Sequence, residues 1–318
     1  MDEPQSFSGI CCVIGGGGFI GRPVVRKLLA TGRSVLVIDR GPAPQDMPAG
    51  MTHMQGDYGD PAFLEAALTG VHEIIHLAYA SVPKTSFEDP AADLLHNIPP
   101  ALTLLETASR LQLKKIVLVS SGGTVYGQAL SLPIEEDHPT DPISPYGITK
   151  LAIEKYAGMF HALKGLPAVM VRPGNAYGEE QVPYTGQGLV ATVIASMLEG
   201  KEINLFGQTG GVRDYIHVED IASGIIAALT DGQPGEAYNI GSGIGTSSRQ
   251  IVDILAAHAR AAGLDPQIIS LPERRFDVGS NVLSFAKLRA HTGWQPEIEL
   301  EDGLGRIWDH FVAARQSS

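Results

Sequence analysis

Cysteines and basic residues are both scarce in this chain, and each shortage narrows the kinds of protein it can be. The two cysteines, Cys11 and Cys12, are neighbours in an apolar stretch. Adjacent cysteines supply neither a disulfide framework nor metal-ligand spacing, so we predict no metal site. The 23 lysines and arginines are scattered and are outnumbered by 35 acidic residues. This disfavours nucleic acid or an anionic membrane as a partner, because both need a concentrated basic face.

Long hydrophobic runs are also missing, since no apolar stretch approaches the length that crosses a bilayer. The acidic start, Met1 to Pro4, lacks the basic region of a secretory signal. A composition of 44% hydrophobic and 18% charged residues is typical of a globular protein. We therefore expect a cytoplasmic protein without a membrane partner, built from one large domain or two closely packed domains.

Short apolar runs alternate with longer helical patterns from Ile10 to Pro173. This alternation is typical of βαβ units and predicts an α/β fold with a Rossmann-type doubly wound parallel sheet. The looser pattern after Gly174 predicts a smaller mixed α/β lobe packed on that sheet. The predicted strands of the first part are Ile10–Ile14, Ser34–Asp39, Thr52–Gln55, Glu73–Leu77, Lys115–Ser120 and Ala168–Arg172, and the predicted helices are Phe19–Ala30, Ala62–Leu68, Ala91–Leu111 and Tyr146–Leu163.

Two prolines lie inside one of these predicted helices. Because Pro99 and Pro100 lack the N–H groups that a helix interior needs, we expect Ala91–Leu111 to kink or restart near Asn97. In the second part, the predicted strands are Ile203–Phe206, Val212–His217 and Ala237–Ile240, and the predicted helices are Leu189–Glu199, Glu219–Leu229, Ser248–Ala262 and Gly303–Ala314.

A glycine-rich stretch follows the first predicted strand. Gly15, Gly18 and Gly21 would permit a tight strand-to-helix turn, a close backbone approach to a pyrophosphate and close helix packing. The amides at the helix start would then face the anion. Four consecutive glycines can also form a merely flexible turn. Strand, turn and helix stand here in the order that dinucleotide binding requires, and we favour that interpretation.

Asp39 ends the second predicted strand, eighteen residues after Gly21. A carboxylate at this point can accept hydrogen bonds from both ribose hydroxyls and repel a 2′-phosphate, which favours NAD over NADP. Arg40 follows directly and could partly accommodate a phosphate. The alternative for Asp39 is a turn residue at a strand end.

Tyr146 and Lys150 lie one turn apart on the same face of a predicted helix. A neighbouring ammonium favours the charged form of a phenol, whose ordinary pKa is about 10, so this pair is a candidate general base. A tyrosine four residues before a lysine is also a common accident on an exposed helix face. The remaining motifs of the chain therefore decide its meaning.

Taken together, the motifs resemble the extended short-chain dehydrogenases/reductases, and within them the nucleotide-sugar epimerases and dehydratases, closest to the UDP-hexose 4-epimerases. The resemblance covers nearly the whole chain and rests on motifs in a fixed order: Gly15–Gly21, Asp39, Gly56-Asp57, His76-Leu77-Ala78, Ser120–Gly127, Tyr146–Lys150, Arg172–Gly178, Arg213-Asp214-Tyr215 and Asn239-Ile240-Gly241.

The resemblance implies the cofactor contacts. Asp57 and Tyr58 would contact the adenine, and Lys150 would hold the nicotinamide ribose as well as tune Tyr146. The other implied contacts are Phe19, Ile20, Leu77, Ala78, Tyr79 and Pro173. Residues 1–175 would form the NAD-binding domain, with 212–245 returning to it, and residues 176–211 and 246–318 would form most of the substrate-binding lobe.

One catalytic group of the family is absent at its usual place. The family has a serine or threonine three residues before the Val of its Val-Tyr-Gly motif, and that place is Gly122 here. Ser121, Thr124 or a water could supply the hydroxyl, with a slight preference for Thr124. Dehydratases and decarboxylases of the family carry an acidic residue before Val-Tyr-Gly, whereas this chain has Gly123 and Thr124, which favours a 4-epimerase.

The substrate contacts are also implied by the resemblance. Asn175 matches the asparagine that holds the sugar diphosphate, although a turn residue is the alternative. Arg213 and Arg274 match two diphosphate or nucleotide contacts, for which guanidinium groups are suited. Asn281 stands at the position that separates hexoses from N-acetylhexosamines, and its intermediate volume admits either. Thr124 would also face the substrate.

The sequence thus predicts an NAD-dependent 4-epimerase of a UDP-hexose or UDP-N-acetylhexosamine, with Tyr146 as base. The alternatives are another NAD(P)-dependent nucleotide-sugar reductase or dehydratase, or a weakly catalytic sugar-nucleotide-binding protein. Family members commonly pair through helices, so we expect a homodimer. The apolar faces of Ala91–Leu111 and Leu151–Leu163 are compatible with such pairing, and equally with burial inside one chain.

Overall fold

The computed structural model describes residues 9–43, 48, 50–272 and 279–316. The strands are β1 (Ile10–Ile14), β2 (Ser34–Asp39), β3 (Thr52–Gln55), β4 (Val71–His76), β5 (Lys115–Val119), β6 (Ala168–Pro173), β7 (Asn175–Tyr177), β8 (Ile203–Phe206), β9 (Val212–His217), β10 (Ala237–Ile240), β11 (Gly245–Ser247), β12 (Ile268–Leu271) and β13 (Ser280–Asn281). The helices are α1 (Gly21–Ala30), α2 (Pro61–Ala67), α3 (Pro83–Glu88), α4 (Pro90–Arg110), α5 (Pro145–Lys164), α6 (Leu189–Glu199), α7 (Val218–Asp231), α8 (Ser248–Ala261), α9 (Ala286–Thr292) and α10 (Leu300–Gln316).

Seven parallel strands form the central sheet in the order β10-β6-β5-β4-β1-β2-β3. Successive side chains of β1 enter opposite faces of the sheet: Cys11 and Val13 join one buried apolar cluster, whereas Cys12 and Ile14 join the other. Apolar cores on both faces are typical of a parallel sheet covered by helices. This arrangement confirms the predicted Rossmann-type fold.

The strand order reverses at β1, which pairs with β2 on one side and β4 on the other. In a doubly wound sheet, ligands bind in the crevice at the carboxyl ends of the strands where this reversal occurs. The turn after β1, the segment after β4 and the segment after β5 therefore meet at one edge of the sheet.

Smaller sheets lie beside the central one. β9 pairs with β7, β11 and β13, and β8 pairs with β12. Helices α6, α8 and α10 pack with part of these strands around a third buried cluster that includes Tyr215 and Trp308. β10 follows α7 and pairs with β6 at the edge of the central sheet.

Of the expected kink or restart of the fourth helix near Asn97, the restart is wrong, because α4 runs as one helix through Pro99 and Pro100, and the kink stays a prediction. A proline inside a helix costs about 3 kcal/mol or more, and packing opposes this cost. Ala101 and Leu104 of α4 are fully buried in the core. The Asn97 side chain also donates to Asp93 O at 2.7 Å and accepts from Ala80 N at 2.8 Å.

None of the helices in the described part of the chain combines the length and the apolar character that crossing a membrane requires.

Candidate active site

A cavity of about 590 Å³ opens at the carboxyl edge of the central sheet. The structure brings most of the predicted site residues together on its walls. Those that line it are Gly15, Gly18, Phe19, Ile20, Gly21, Leu77, Tyr79, Ser121, Thr124, Tyr146, Lys150, Pro173, Asn175 and Arg213. Arg274 lies outside the described residues.

The glycine turn is built so tightly that side chains are excluded from it. Gly15 has φ +88°, and a Cβ there would stand 2.7 Å from Ala78 N. A Cβ on Gly21 would stand 2.3 Å from Gly15 O. The turn therefore needs glycine at both positions to bring the start of α1 against the end of β1.

Four predicted cofactor residues are not among those that line the cavity. Asp39 accepts a hydrogen bond from Gly17 N at 2.7 Å, which ties the end of β2 to the glycine turn. Asp57 accepts from Gly59 N at 2.8 Å in the loop after β3. Tyr58 packs edge-on against His76, and Ala78 packs against the apolar core. Their cofactor contacts stay predictions.

Helix α5 presents Tyr146 and Lys150 on the same side, as the spacing predicted. Ser144 caps the helix by accepting from Gly147 N at 3.1 Å. The Lys150 ammonium donates to Val119 O at 2.9 Å and lies 4.0 Å from the ring centroid of Tyr79, against 5.7 Å from that of Tyr146. The Tyr79 ring in turn contacts the Tyr146 ring edge-on, at 4.8 Å between centroids.

The electrostatics of this pair differ from the simple picture of a lysine beside a phenol. Burial raises the pKa of Tyr146, and the Asp93 carboxylate raises it further. Burial also lowers the pKa of Lys150 to about 7, although Glu154 and Asp93 oppose that change. The phenol is therefore neutral at pH 7 as these side chains lie, and it needs additional positive charge nearby to act as a base.

Packing accounts for the glycine that replaces the family hydroxyl. A Cβ on Gly122 would stand 2.8 Å from Arg172 O and 2.5 Å from Leu283 Cδ1. Gly122 N donates to Pro173 O at 2.9 Å, and Gly122 O accepts from Asn281 Nδ2 at 3.0 Å. The residue is thus held on both sides, between the end of β6 and β13, with no room for a side chain.

Restoring serine at this position is expected to destabilise the fold. Overpacking a well-packed site typically costs about 1 to 3 kcal/mol, so Gly122→Ser should lower the free energy of unfolding by about that amount in denaturant titration. Gly123→Ser is the matched control, since a Cβ there meets only Asn175 Oδ1 at 3.3 Å. Equal stability of Gly122→Ser and the parent protein would contradict this account.

The two remaining hydroxyl candidates both line the cavity. Thr124 Oγ1 donates weakly to Ser121 O at 3.5 Å. Sequence reasoning missed a third hydroxyl, Ser120, which lines the same cavity and is 6% exposed. Its Oγ has no hydrogen-bond partner among the described residues. Its position directly after β5, at the ligand-binding edge of the sheet, was the signal that could have identified it.

The diphosphate candidates Asn175 and Arg213 come from the neighbouring strands β7 and β9 and line the same cavity. Asn281 does not line it. Its side chain is 1% exposed and is bonded to Gly122 O, so it supports the wall behind the cavity.

The chain belongs to the NAD dependent epimerase/dehydratase family, whose model matches residues 11–241. Its cofactor is therefore NAD. The described residues fit this group, because the four glycines from Gly15 to Gly18 put no side chain between the cavity and the backbone amides at the start of α1, which can then face a pyrophosphate. Asp39 is tied to that turn by its bond from Gly17 N, and its recognition of the ribose hydroxyls stays a prediction.

Individual relatives include both epimerases and a dehydratase. The chain is 31% identical to the UDP-glucose 4-epimerase of Mycolicibacterium smegmatis, over 94% of this chain and 97% of that protein. It is 31% identical to a dTDP-glucose 4,6-dehydratase of Streptomyces griseus, over 94% and 93%. Among solved structures, the UDP-glucose 4-epimerase of Thermus thermophilus in complex with NAD superposes with a TM-score of 0.88 at 34% identity, covering 96% of this chain and 99% of that one.

Proposed function

We propose that the protein catalyses the NAD-dependent 4-epimerisation of a UDP-sugar through a transient 4-keto sugar. One observation carries the choice among the reactions of the family: no aspartate or glutamate lines the cavity in the part of the chain that the structure describes. Elimination of water or loss of carbon dioxide needs further acid–base help beside the reacting carbon. Epimerisation needs one proton acceptor and a reversible hydride acceptor.

In this proposal Tyr146 takes the proton from the sugar 4-hydroxyl and later returns it. NAD, when bound, supplies the hydride acceptor and a positively charged nicotinamide ring. Lys150, whose ammonium donates to Val119 O, holds the cofactor ribose and adds positive charge. Ser121 or Thr124 donates a hydrogen bond to the sugar oxygen that reacts.

The substrate is held at its diphosphate. Lys150 and Arg213 are the basic residues of the cavity wall within the described ranges. Arg213 suits a diphosphate because a guanidinium group makes charge-assisted, sometimes bidentate, bonds to phosphate oxygens. Asn175 comes from β7, the strand that pairs with β9, and supplies a neutral donor on the same cavity wall. Arg274 stays a second proposed diphosphate contact from outside the described ranges.

A panel of nucleotide sugars tests the reaction. The protein is incubated with UDP-glucose, UDP-galactose and their N-acetylhexosamine counterparts without added cofactor, and the C4 epimers are resolved by chromatography. We expect exchange of configuration at C4 with no net change of bound NAD. A product that has lost water would identify a dehydratase, as in the Streptomyces griseus relative. Binding without exchange would identify a sugar-nucleotide-binding protein.

The two hydroxyl candidates are expected to differ in their effect on turnover. Thr124→Ala should lower kcat more than Ser121→Ala, by about tenfold or more, if Thr124 makes the hydrogen bond to the reacting oxygen. Both variants are assayed for C4 epimerisation beside the parent protein. Unchanged rates in both would transfer the role to a bound water or to Ser120.

The division into lobes stays part of the proposal. Residues 1–175, with 212–245, would bind NAD, and residues 176–211 and 246–318 would supply most of the substrate contacts.

We also propose a homodimer formed through α4 and α5. Exposed apolar side chains on these two helices include Leu94, Leu95, Ile148, Met159 and Leu163. Light scattering tests this, with a molar mass of twice the 33.7 kDa of one chain as the expected result.

A further inference from the structure

We propose that Asp93 is a positioning residue of this active site. Its buried carboxylate holds the Tyr79 ring and helix α5 in place, and its negative charge favours the charged form of Lys150. The kinetic consequence rests on the proposed function, whereas the charge relation can be measured without turnover.

Asp93 joins three separate elements. It lies in the first turn of α4 and is 3% exposed. Its Oδ2 accepts from Thr149 Oγ1 at 2.7 Å, and Thr149 precedes Lys150 on α5. Its Oδ1 accepts from Ser81 Oγ and from the Tyr79 hydroxyl, the latter at 3.4 Å, and both residues follow β4. One side chain therefore fixes how α4, α5 and the segment after β4 meet.

The Tyr79 ring links Asp93 to the pair Tyr146 and Lys150, because it contacts both of these residues. One face of the ring lies 4.0 Å from the Lys150 ammonium, a cation–π distance, while the ring packs against Tyr146 at 67° between planes. The Tyr79 hydroxyl on Asp93 sets the rotation of this ring. Loss of that bond would free the ring that touches both groups.

Asp93 differs from the other carboxylate near Lys150, Glu154, in the partners that it contacts. Two carboxylates raise the pKa of Lys150, Glu154 and Asp93, and they oppose the larger effect of burial. Glu154 is ion-paired with Arg172 at 2.6 Å. The Asp93 carboxylate has hydroxyl donors as its partners within the described ranges. Among the described residues, no lysine or arginine therefore forms an ion pair with this carboxylate.

The other titratable groups that face Lys150 do not supply this charge. His76, at the end of β4, has a pKa lowered to about 3 by burial and by Lys150, so it is neutral at pH 7. Burial raises the pKa of the Tyr79 and Tyr146 phenols, so both are neutral as well. Removing the Asp93 charge should therefore lower the pKa of Lys150 directly.

The test is an NMR titration of Lys150 in the NAD-loaded protein without substrate. Lysine is labelled with ¹³C at the ε-carbon, and the Lys150 signal is assigned by its disappearance in Lys150→Met. Asp93→Asn keeps the size of the side chain and one acceptor oxygen but removes the charge. We expect the Lys150 midpoint to fall by about one pH unit, because a nearby opposite charge typically shifts a pKa by about one to three units.

Two further variants make the result decisive. Asp93→Ser removes the same charge but keeps an acceptor oxygen and leaves room for a water beside the three hydroxyl donors, so it serves if Asp93→Asn does not fold. Glu88→Gln removes an exposed carboxylate from the neighbouring helix α3 and should leave the midpoint unchanged. An unchanged Lys150 midpoint in a folded Asp93 variant overturns the proposal.

The kinetic arm separates positioning from mere packing. The proposed mechanism needs a charged Lys150, and Asp93 raises the pKa of that group, so Asp93→Asn should move the basic limb of the kcat/KM profile to lower pH, by as much as it moves the Lys150 midpoint. A purely structural role would lower kcat at every pH and leave the limb in place, and this result would also overturn the proposal. If the parent protein shows no epimerisation at all, the proposed function fails, while the Lys150 titration still decides the role of Asp93.

Discussion

Tyr146→Phe is expected to remove nearly all epimerase activity while the fold and the bound NAD are retained. The loss should be about 10² to 10⁴-fold in kcat, which is the usual contribution of a general base. The substitution leaves the ring in place against Tyr79 and removes only the hydroxyl, which lies at the cavity wall. Turnover of UDP-sugar epimers and the NAD content of the purified protein are the measurements.

Tyr156→Phe is the matched control for this experiment. Tyr156 lies on the same helix α5, and it is 37% exposed and away from the cavity wall. It should keep the activity of the parent protein, with the same thermal unfolding midpoint. Near-parental turnover in Tyr146→Phe would remove this tyrosine from the mechanism and, with it, the assignment of the reaction. Loss of NAD in that variant would instead indicate a structural effect.

The pairing of Tyr146 with Lys150 could be predicted because it depends only on local geometry. Residues four apart share one face of a helix wherever that helix is placed. The groups that act on the pair could not be predicted in this way. Tyr79 comes from the segment after β4 and Asp93 from α4, and only the packing of three elements brings them to Lys150.

The order of strands and helices was predictable for a similar reason. β1, β2 and β3 have the predicted bounds because each is a short apolar or alternating run ended by a turn signal. The sequence predicted helix Ala91–Leu111 but could not decide whether it restarts at its prolines, since they argue locally against continuing and only burial against the core outweighs them. The short strands β7, β11 and β13 carry little local signal and depend on their pairing with β9.

Gly122 is a second feature, within the site, whose cause could not be predicted from local sequence. The sequence indicates that the family hydroxyl is missing, but it does not indicate why. The reason is a backbone carbonyl of β6 and a leucine after β13, which are remote in sequence and occupy the space of a side chain. The candidates to replace the missing hydroxyl are therefore found on the cavity wall, which Ser120, Ser121 and Thr124 line.

Gly21→Ala and Gly18→Ala are each expected to weaken NAD binding by about tenfold to a hundredfold, in two different ways. A Cβ on Gly21 would meet Gly15 O at 2.3 Å, so Gly21→Ala must shift the turn itself and should lower both the unfolding midpoint and NAD affinity. A Cβ on Gly18 would meet only Gly15 O, at 3.4 Å, an ordinary contact. Gly18→Ala should therefore leave the protein as stable as the parent, while its methyl group projects toward the space of the pyrophosphate.

The size of the expected loss of NAD affinity follows from the free-energy cost of placing a methyl group in the turn. Overpacking costs about 1 to 3 kcal/mol, and each 1.4 kcal/mol is about tenfold in affinity, so each variant should bind NAD about tenfold to a hundredfold more weakly. Calorimetry on NAD-stripped protein measures the affinity, and thermal unfolding without NAD measures the fold. Gly41→Ala is the control, because a Cβ at Gly41 meets nothing within 4 Å. Full NAD affinity in Gly18→Ala would contradict this account. It would mean that the pyrophosphate does not bind against Gly18, because a methyl group added there would otherwise block it.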